Sequence, residues 1–129
     1  MDRNVGALWP AIAPTDAGAY GGYYTFEQAQ TACPDGYRLP TQAEWEAERN
    51  SWSSYDRNGA YASPLKLPAA GRRILSSGSL NSVGSGGYWS GAVDGTSSRD
   101  LGFNSSSANM YSSGRAFGYS VRCLKDTSD

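Results

Sequence analysis

Apolar residues are spaced differently in the two halves of this chain, at helical intervals early and in alternation late. Phe26, Ala29 and Ala32 recur at an interval that places them on one face of a helix. Thr25 precedes them as an N-cap, and Gln28 stands at the position that completes a capping box with this threonine. The pattern predicts a first helix that begins after Thr25 and ends at a Pro-Asp-Gly turn.

A second helix is predicted directly after Pro40. Proline keeps the residue before it extended, and Thr41 with Glu44 repeats the capping-box spacing. Trp45 is the apolar anchor of this helix. Residues 50–64 are polar and carry no periodic apolar pattern, so we expect a loop there.

Short strands are predicted for the second half of the chain. Four segments have the length and pattern of half-buried strands: 88–90, 99–104, 109–111 and 119–124. The Asp94-Gly95 pair is a strong turn signal, and the alternation places Leu101 and Phe103 inward. Two helices followed by short antiparallel strands in a loop-rich chain predict an α+β fold.

The segment 76–120 has an unusual composition, with fourteen Ser, nine Gly and neither Lys nor Glu. One interpretation is a flexible low-complexity linker. Against it, Trp89, Leu101 and Phe103 recur at strand-like spacing, and a linker would not need them. Tyr, Ser, Gly and Asn on an ordered scaffold are typical of antibody paratopes, where Tyr supplies contact area and Ser and Asn supply hydrogen bonds. The segment therefore predicts a ligand-binding surface, with solvated polar loops as the alternative.

The length, net charge and apolar content of the chain argue against several classes of function. The 129 residues fit a single domain, 1–129. The formal net charge is −1 with no Lys/Arg cluster, which argues against a nucleic-acid partner. No apolar run approaches the ~20 residues of a membrane helix, so we expect no membrane insertion. Asp2 and Arg3 do not fit a signal peptide, so we expect either a cytoplasmic protein or a domain of a longer one.

Histidine is absent from the chain. Its absence removes the commonest general base and the commonest transition-metal ligand. Asp94 and Asp100 alone would provide too few oxygen ligands for a calcium site. We therefore expect no metal, no cofactor and no catalytic residue.

The chain has two cysteines, Cys33 and Cys123. They are either two buried free thiols or one disulfide that closes a loop of about 90 residues. In the chain-entropy description such a disulfide would stabilise the fold by roughly 4–4.5 kcal/mol. A reducing compartment would favour the free thiols.

Seven stretches of the sequence carry a resemblance to a known family. They are DRNVGA (2–7), YYTF (23–26), CPDGYRLPT (33–41), EW (44–45), LPAAGR (67–72), GYWS (87–90) and GYSVRC (118–123). In order and spacing they resemble the Fibrobacter succinogenes major paralogous domain family over nearly the whole chain. The RLPT string and the EWE that follows it are also similar to the formylglycine-generating-enzyme group. Both resemblances imply a C-type lectin fold, a scaffold that hosts many functions.

The chain also resembles the variable proteins of diversity-generating retroelements, which randomise adenine-containing codons near the C-terminus of a lectin-fold domain. Those proteins bind receptors or host surfaces, for example at phage tail tips. The resemblance implies that residues 88–119 form the variable region and that the partner is a protein or another cell-surface ligand. It also implies a phage particle or bacterial cell surface as the location, with oligomerisation through a longer parent chain.

The candidate ligand contacts are the small, hydroxylated and aromatic residues of this region. They are Tyr88, Val93, Asp94, Thr96, Ser98, Asp100, Gly102, Asn104, Asn109, Tyr111, Phe117 and Tyr119. Their alternation with Leu101 and Phe103 would place them on the outer face of strands or in the joining loops. Ordinary solvent exposure is the alternative for each of them. Trp89 is expected to pack in the core, and Arg115 and Arg122 to support loops through hydrogen bonds.

Two other functions compete with ligand binding. A structural or assembly domain at the tip of a fimbria or tail fibre would use the scaffold without a variable ligand. An enzyme resembling formylglycine-generating enzymes would need neighbouring cysteines to hold copper, and only Cys123 lies in that part of the chain. Calcium-dependent sugar binding would need Glu-Pro-Asn or Trp-Asn-Asp strings, which the sequence lacks.

Overall fold

A computed structural model describes residues 3–8, 18, 20–74, 80–81 and 83–125. The helices are α1 (Phe26–Ala29), α2 (Gln42–Asn50) and α3 (Arg57–Ala62). The strands are β1 (Tyr37–Arg38), β2 (Arg72–Arg73), β3 (Leu80–Asn81), β4 (Gly86–Asp94), β5 (Ser97–Phe103), β6 (Ala108–Gly114) and β7 (Leu124–Lys125). Helices thus precede a set of antiparallel strands, which confirms the predicted mixture of helix and strand.

Both predicted capping boxes are present. The amide of Gln28 donates to Thr25 Oγ1 at 3.2 Å, and the side chain of Gln28 accepts from the threonine amide at 3.0 Å. The same reciprocal pair joins Thr41 and Glu44, at 2.8 and 3.1 Å. Each pair satisfies amides that the first helical turn leaves without a partner, which fixes where α1 and α2 begin.

Helix α3 was not predicted, because residues 50–64 show no helical periodicity. Asp56 caps it by accepting a hydrogen bond from the Gly59 amide at 3.0 Å. Glycine disfavours a helix interior, yet a Cβ on Gly59 would lie 1.8 Å from the carbonyl oxygen of Ser54. Only glycine avoids a collision with the backbone five residues earlier, which explains why it stands inside this helix despite its low helix propensity.

The central sheet has the order β4-β5-β6, and all its neighbours are antiparallel. The predicted turn at Asp94-Gly95 connects β4 to β5, with Gly95 at a φ of 59° that suits glycine. In the register, Tyr88 lies opposite Leu101, and Asp100 lies opposite both Trp89 and Tyr111. Two small antiparallel sheets, β1-β7 and β2-β3, lie outside this one.

One face of the central sheet packs on the helices, and we call it the helix-side face. Its core contains Trp45, Trp52, Ala60, Leu67, Tyr88, Leu101, Phe103 and Ala108. Trp45, the predicted anchor of α2, is 1% exposed, and its indole Nε1 donates to the carbonyl oxygen of Trp89 at 3.2 Å. The predicted inward positions of Leu101 and Phe103 are confirmed, since both side chains are buried.

The opposite face, which we call the cleft-side face, has a second apolar cluster at one end. It contains Phe26, Ala29, Trp89, Tyr119, Val121 and Cys123. The expectation that Trp89 packs in the core is confirmed, because its ring is fully buried between Phe26 and Tyr119, with centroid distances of 5.4 and 4.8 Å. Cys123 forms a disulfide with Cys33 across 90 residues, which decides between the two alternatives for the cysteines.

Buried polar side chains tie the start of the chain to its end. Arg122 Nε donates to Asn4 Oδ1 at 3.1 Å, and Asn4 Nδ2 donates to the Tyr88 hydroxyl at 2.9 Å. Arg115 supports the β4-β5 turn, donating to the carbonyl oxygen of Gly95 at 2.7 Å. The loop-supporting roles expected for Arg115 and Arg122 are therefore present.

Candidate functional site

An open cleft of about 350 Å³ lies on the cleft-side face of the central sheet. Its lining residues are Gly71, Arg72, Ser85, Gly86, Gly87, Asp100, Gly102, Phe103, Asn104, Tyr111, Ser112, Ser113 and Tyr119. They come from strands β2, β4, β5 and β6 and from the segment that follows β6. The cleft is therefore built by parts of the chain that are distant in sequence.

Two glycines form the floor of the cleft, and they lie directly opposite each other in the register of β4 and β5. A Cβ on Gly87 would lie 2.5 Å from the ring of Tyr119, and a Cβ on Gly102 would lie 2.8 Å from the ring of Tyr111. Both distances are shorter than van der Waals contact allows. Glycine at these two positions therefore lets both tyrosine rings lie against the backbone of the sheet.

Asp100 is the most unusual side chain of the cleft. It is 3% exposed, and its Oδ1 atom has no hydrogen-bond partner among the described residues. Burial raises the pKa of this carboxyl from 3.8 to about 6, although a hydrogen bond from Ser113 and the charges of Arg99 and Arg72 act to lower it. Buried polar atoms are nearly always paired in proteins, so the unpaired oxygen is an exception that requires an explanation.

Arg72 contributes a second unpaired atom to the same cleft. Its guanidinium carbon lies 5.0 Å from the centroid of the Phe117 ring, in a cation–π contact. Its Nε is buried and has no hydrogen-bond partner within the described part of the chain. Two residues that line the cleft therefore each have one buried polar atom without a hydrogen-bond partner among the described residues.

Aromatic rings form the walls of the cleft. Tyr119 is 5% exposed, stacks on Phe117 at a centroid distance of 6.1 Å, and donates from its hydroxyl to Ser113 Oγ at 2.9 Å. Tyr111 is 44% exposed and lies directly opposite Asp100 in the register of β5 and β6. One wall is thus fixed by packing, whereas the other is a solvent-facing ring that a ligand can reach.

Six of the predicted contact residues are exposed, as expected for an outer surface. They are Val93, Asp94, Thr96, Asn104, Asn109 and Tyr111. Of these, only Asn104 and Tyr111 line the cleft. Phe117 is half-buried beneath Arg72.

Five predicted contact residues are buried, and three of them still reach the cleft. Asp100, Gly102 and Tyr119 line it, so they are accessible to a ligand only from inside the cleft. The outward position expected for them is wrong, because the segment after β6 covers this face of the sheet. The side chains of β5 alternate between the two faces of the sheet, as predicted. Both the helix-side face and the cleft-side face are covered at these positions, whereas the prediction expected one of them to face solvent.

The outward position expected for Tyr88 and Ser98 is also wrong, and neither residue lines the cleft. Tyr88 lies opposite Leu101 on the helix-side face, where its hydroxyl donates to the carbonyl oxygen of Pro68 at 2.9 Å. Ser98 is covered by Arg115, whose Nε donates to its hydroxyl at 2.9 Å. Both side chains have structural partners in the positions where ligand contacts were predicted.

Sequence reasoning missed the contribution of Arg72, Gly87 and Ser113. The Gly86-Gly87 pair before Tyr88 gave a usable signal, since glycine inside a strand pattern marks close approach of another group. Arg72 gave no such signal, because only the fold brings β2 beside β5.

A second groove, of about 400 Å³, lies between α2 and β6. Its two arginines, Arg49 and Arg99, already have partners. Arg49 Nε donates to the carbonyl oxygen of Ala108 at 2.8 Å, and Arg99 Nη1 donates to Ser112 Oγ at 2.9 Å. This groove therefore lacks the unsatisfied atoms that distinguish the cleft at Asp100.

The described part of the chain contains neither a metal-binding cluster nor a membrane-spanning helix. No three His, Cys, Asp or Glu side chains described in the structure group together in a way that could hold a metal ion. None of the helices described here has the length and apolar character needed to cross a bilayer. No protein-family model, no curated protein and no solved structure matches the chain.

Proposed function

We propose that this chain is a non-catalytic ligand-binding domain with a C-type lectin fold. Its binding surface combines the cleft at Asp100 with the exposed, diversifiable residues of the segment 88–119. The partner is a protein or another ligand on a cell surface, and the domain belongs to a phage particle or a bacterial surface protein.

The observation that carries this proposal is the unpaired carboxylate oxygen of Asp100 inside an open cleft. A buried polar atom without a hydrogen-bond partner costs stability, and a ligand that supplied the partner would remove that cost. The tyrosine rings beside it add apolar contact area, as expected for a small-molecule or side-chain site with few, well-placed polar groups.

The stretches that carry the family resemblance support the proposed scaffold. Arg38 and Glu44, in the RLPT and EW stretches, form two hydrogen bonds of 2.6 and 2.8 Å. These bonds lower the pKa of Glu44 to about 2. Asn4 and Arg122, from the first and last stretches, meet in the interior. Residues shared with a family for structural reasons should have such buried or paired positions, whereas residues that select a ligand should vary.

The exposed positions support the proposal of a diversifiable surface. Val93 is 63% exposed and Tyr111 is 44% exposed, and Asp94 and Thr96 lie at the β4-β5 turn. Substitutions at exposed turn and edge positions leave the packed core untouched and change stability little. The fold can therefore accept many side chains at the positions where a retroelement would place them.

The state of the cysteines supports a non-catalytic role. Both sulfur atoms are used in the Cys33–Cys123 disulfide, so neither thiolate is available to bind copper as in formylglycine-generating enzymes. The sequence has no histidine that could replace them.

Sequencing many natural copies of the gene tests the diversification directly. We expect substitutions to concentrate at Val93, Thr96, Asn109 and Tyr111 and similar exposed positions. Buried residues such as Trp89 should not change. An invariant 88–119 segment in a large sample would contradict diversified binding and would favour the structural tip domain of a fimbria or tail fibre.

Binding itself is tested by applying the purified domain to arrays of cell-surface glycans and proteins. We expect a reproducible signal that Tyr111→Ala abolishes, because exposed aromatic residues dominate interface energies. Tyr37→Ala is the matched control, since Tyr37 is 36% exposed and does not line the cleft. Equal signals from both variants and the unchanged domain would contradict a binding surface at the cleft.

A further inference from the structure

The two unpaired atoms of the cleft differ in hydrogen-bonding character. The ionised carboxylate of Asp100 can only accept hydrogen bonds, and the Nε–H of Arg72 can only donate one. Both atoms are buried and lack a hydrogen-bond partner among the residues described. A ligand that satisfies both must therefore present a donor and an acceptor to the same cleft.

We infer that the cleft binds the ammonium group of a small amino compound, with Asp100 as its counter-ion and Arg72 paired to an acceptor oxygen of the same ligand. This inference rests on the proposed function and names the ligand chemistry of the same site. An ammonium group matches Asp100 best because it carries several donors and a full positive charge, and charge-assisted hydrogen bonds are the stronger kind.

The position of Tyr111 favours a cation over a neutral donor. A Cβ placed on Gly102 would lie 2.8 Å from the Tyr111 ring and 3.8 Å from Asp100 Oδ2, so the Tyr111 ring and the Asp100 carboxylate lie close together on the same face of β5. Cations are attracted to aromatic faces, and the attraction grows where water is excluded. The ring and the carboxylate therefore reinforce each other as a site for an ammonium group.

The size of the cleft limits the ligand. A volume of about 350 Å³ lies at the small end of ligand pockets, which suits an amino acid or the first residues of a peptide. An α-amino acid and a polypeptide N-terminus share the required chemistry, since each places an acceptor oxygen close to its ammonium group. A carboxylate without an ammonium group could pair with Arg72, but it would be repelled by Asp100 and would leave that carboxylate without a donor.

The experiment uses the whole domain and a set of probes that differ by single groups. L-leucine carries both groups, isoamylamine lacks the carboxylate, and isocaproate lacks the ammonium. Leu-Gly-Gly represents a peptide N-terminus, and glucose represents a neutral polyol. Titrations followed by backbone amide chemical shifts are expected to show binding of leucine, isoamylamine and Leu-Gly-Gly, with shifts at Gly87, Gly102 and Tyr111.

Three variants separate the contributions of the charges. Asp100→Asn should weaken binding of leucine and isoamylamine by about tenfold or more. Arg72→Gln should weaken leucine binding, because leucine has the acceptor oxygen, and should not weaken isoamylamine binding, because removal of the guanidinium also removes its repulsion of the ammonium group. Asp35→Asn, at an exposed carboxylate outside the cleft, is the control and should change neither affinity.

The charge of Asp100 also predicts how affinity depends on pH. The affinities for leucine and isoamylamine should rise between about pH 5 and pH 7.5 as Asp100 loses its proton, because the ammonium groups of these two probes stay charged over this range. The other charged or titratable groups at the site are Arg72, Arg99, Tyr111 and Tyr119. The ordinary pKa values of arginine and tyrosine lie far above this range. This dependence of amine affinity on pH should be absent from the Asp100→Asn variant.

Each result bears on the inference separately from the proposed function. Comparable affinities of leucine and Leu-Gly-Gly would support an ammonium ligand that is either a free amino acid or a peptide N-terminus. A clear preference for one probe would identify which of the two the cleft binds. Binding of glucose or isocaproate without isoamylamine would overturn the ammonium ligand and leave a binding function standing. Retained amine affinity in Asp100→Asn, or no probe binding at millimolar concentrations, would also overturn it. Invariant natural sequences would instead count against the proposed function alone.

Discussion

Two buried polar side chains on opposite faces of the central sheet differ in how fully they are hydrogen-bonded. On the helix-side face, the Tyr88 hydroxyl donates to Pro68 at 2.9 Å and accepts from Asn4 at 2.9 Å. On the cleft-side face, Asp100 is buried almost as fully, yet its Oδ1 has no partner among the described residues. A buried polar group that is hydrogen-bonded within the protein stabilises the core. A buried polar group without a partner lowers stability, and a ligand can supply the missing hydrogen bond.

The surroundings of Tyr88 are also more tightly packed than those of Asp100. Tyr88 is enclosed by the rings of Trp45 and Phe103, at centroid distances of 5.8 and 6.0 Å. The cleft instead has Gly87 and Gly102 as its floor, where side chains would otherwise fill the space. One face is therefore packed for stability, and the other retains an opening at a cost in stability.

The largest expected effect comes from breaking the packed face. Trp45→Ala should lower the free energy of unfolding by about 3–5 kcal/mol, because it removes a buried indole and leaves a cavity. Urea denaturation followed by tyrosine fluorescence or circular dichroism measures this loss. A loss of less than about 1 kcal/mol would show that the helix-side core does not depend on this residue.

The second effect concerns the charge on the cleft-side face. The pKa of Asp100 is raised from 3.8 to about 6, so the folded protein binds more protons than the unfolded chain between these values. Its contribution to stability is therefore complete below about pH 4 and is lost as pH rises through about pH 6. The free energy of unfolding should fall by about 3 kcal/mol across this range, since one pKa unit corresponds to about 1.4 kcal/mol.

Asp100→Asn provides the comparison for this pH dependence. Carboxylates common to both proteins, such as Glu44, cancel when the two stability curves are subtracted. The chain has no histidine, so no other side chain with an ordinary pKa titrates near pH 6. Parallel curves for the two proteins would mean that Asp100 is solvated and that the faces do not differ as described.

The sequence predicted the packed face far better than the cleft. Caps at Thr25 and Thr41, the burial of Trp45 and Trp89 and the inward direction of Leu101 all follow from local patterns. The caps depend on contacts within a few residues, and the spacing of apolar positions along each element indicates which side chains face the core.

The cleft depends on contacts between distant residues, which no local pattern contains. Alternation along β5 correctly separated Asp100 from Leu101, yet it could not reveal that Tyr119 and Arg72 cover the Asp100 side. The composition of the segment identified the right region, whereas the identity of its buried members required the fold. Helix α3 was missed for a different reason, since residues 50–64 carry no apolar periodicity that would mark a helix.

A third and smaller effect is expected from filling the floor of the cleft. Gly87→Ala should destabilise the protein by about 1–3 kcal/mol, because the new Cβ would press on the ring of Tyr119, which is itself packed against Trp89. Gly91→Ala in the same strand is the matched control, since nothing lies within 4 Å of a Cβ there. Equal stabilities of the two variants would show that the ring moves aside freely.

The smallest effect should come from the exposed wall. Tyr111→Ala is expected to change the free energy of unfolding by no more than about 0.5 kcal/mol, because surface side chains contribute little to packing. Tyr88→Ala on the helix-side face is the comparison. It removes a fully buried ring whose hydroxyl makes two hydrogen bonds, so the loss in free energy of unfolding should be several times larger. Thermal denaturation of both variants measures the difference. If Tyr111→Ala were as destabilising as Tyr88→Ala, the ring would be part of the core, and a ligand could not use it without unfolding the edge of the sheet.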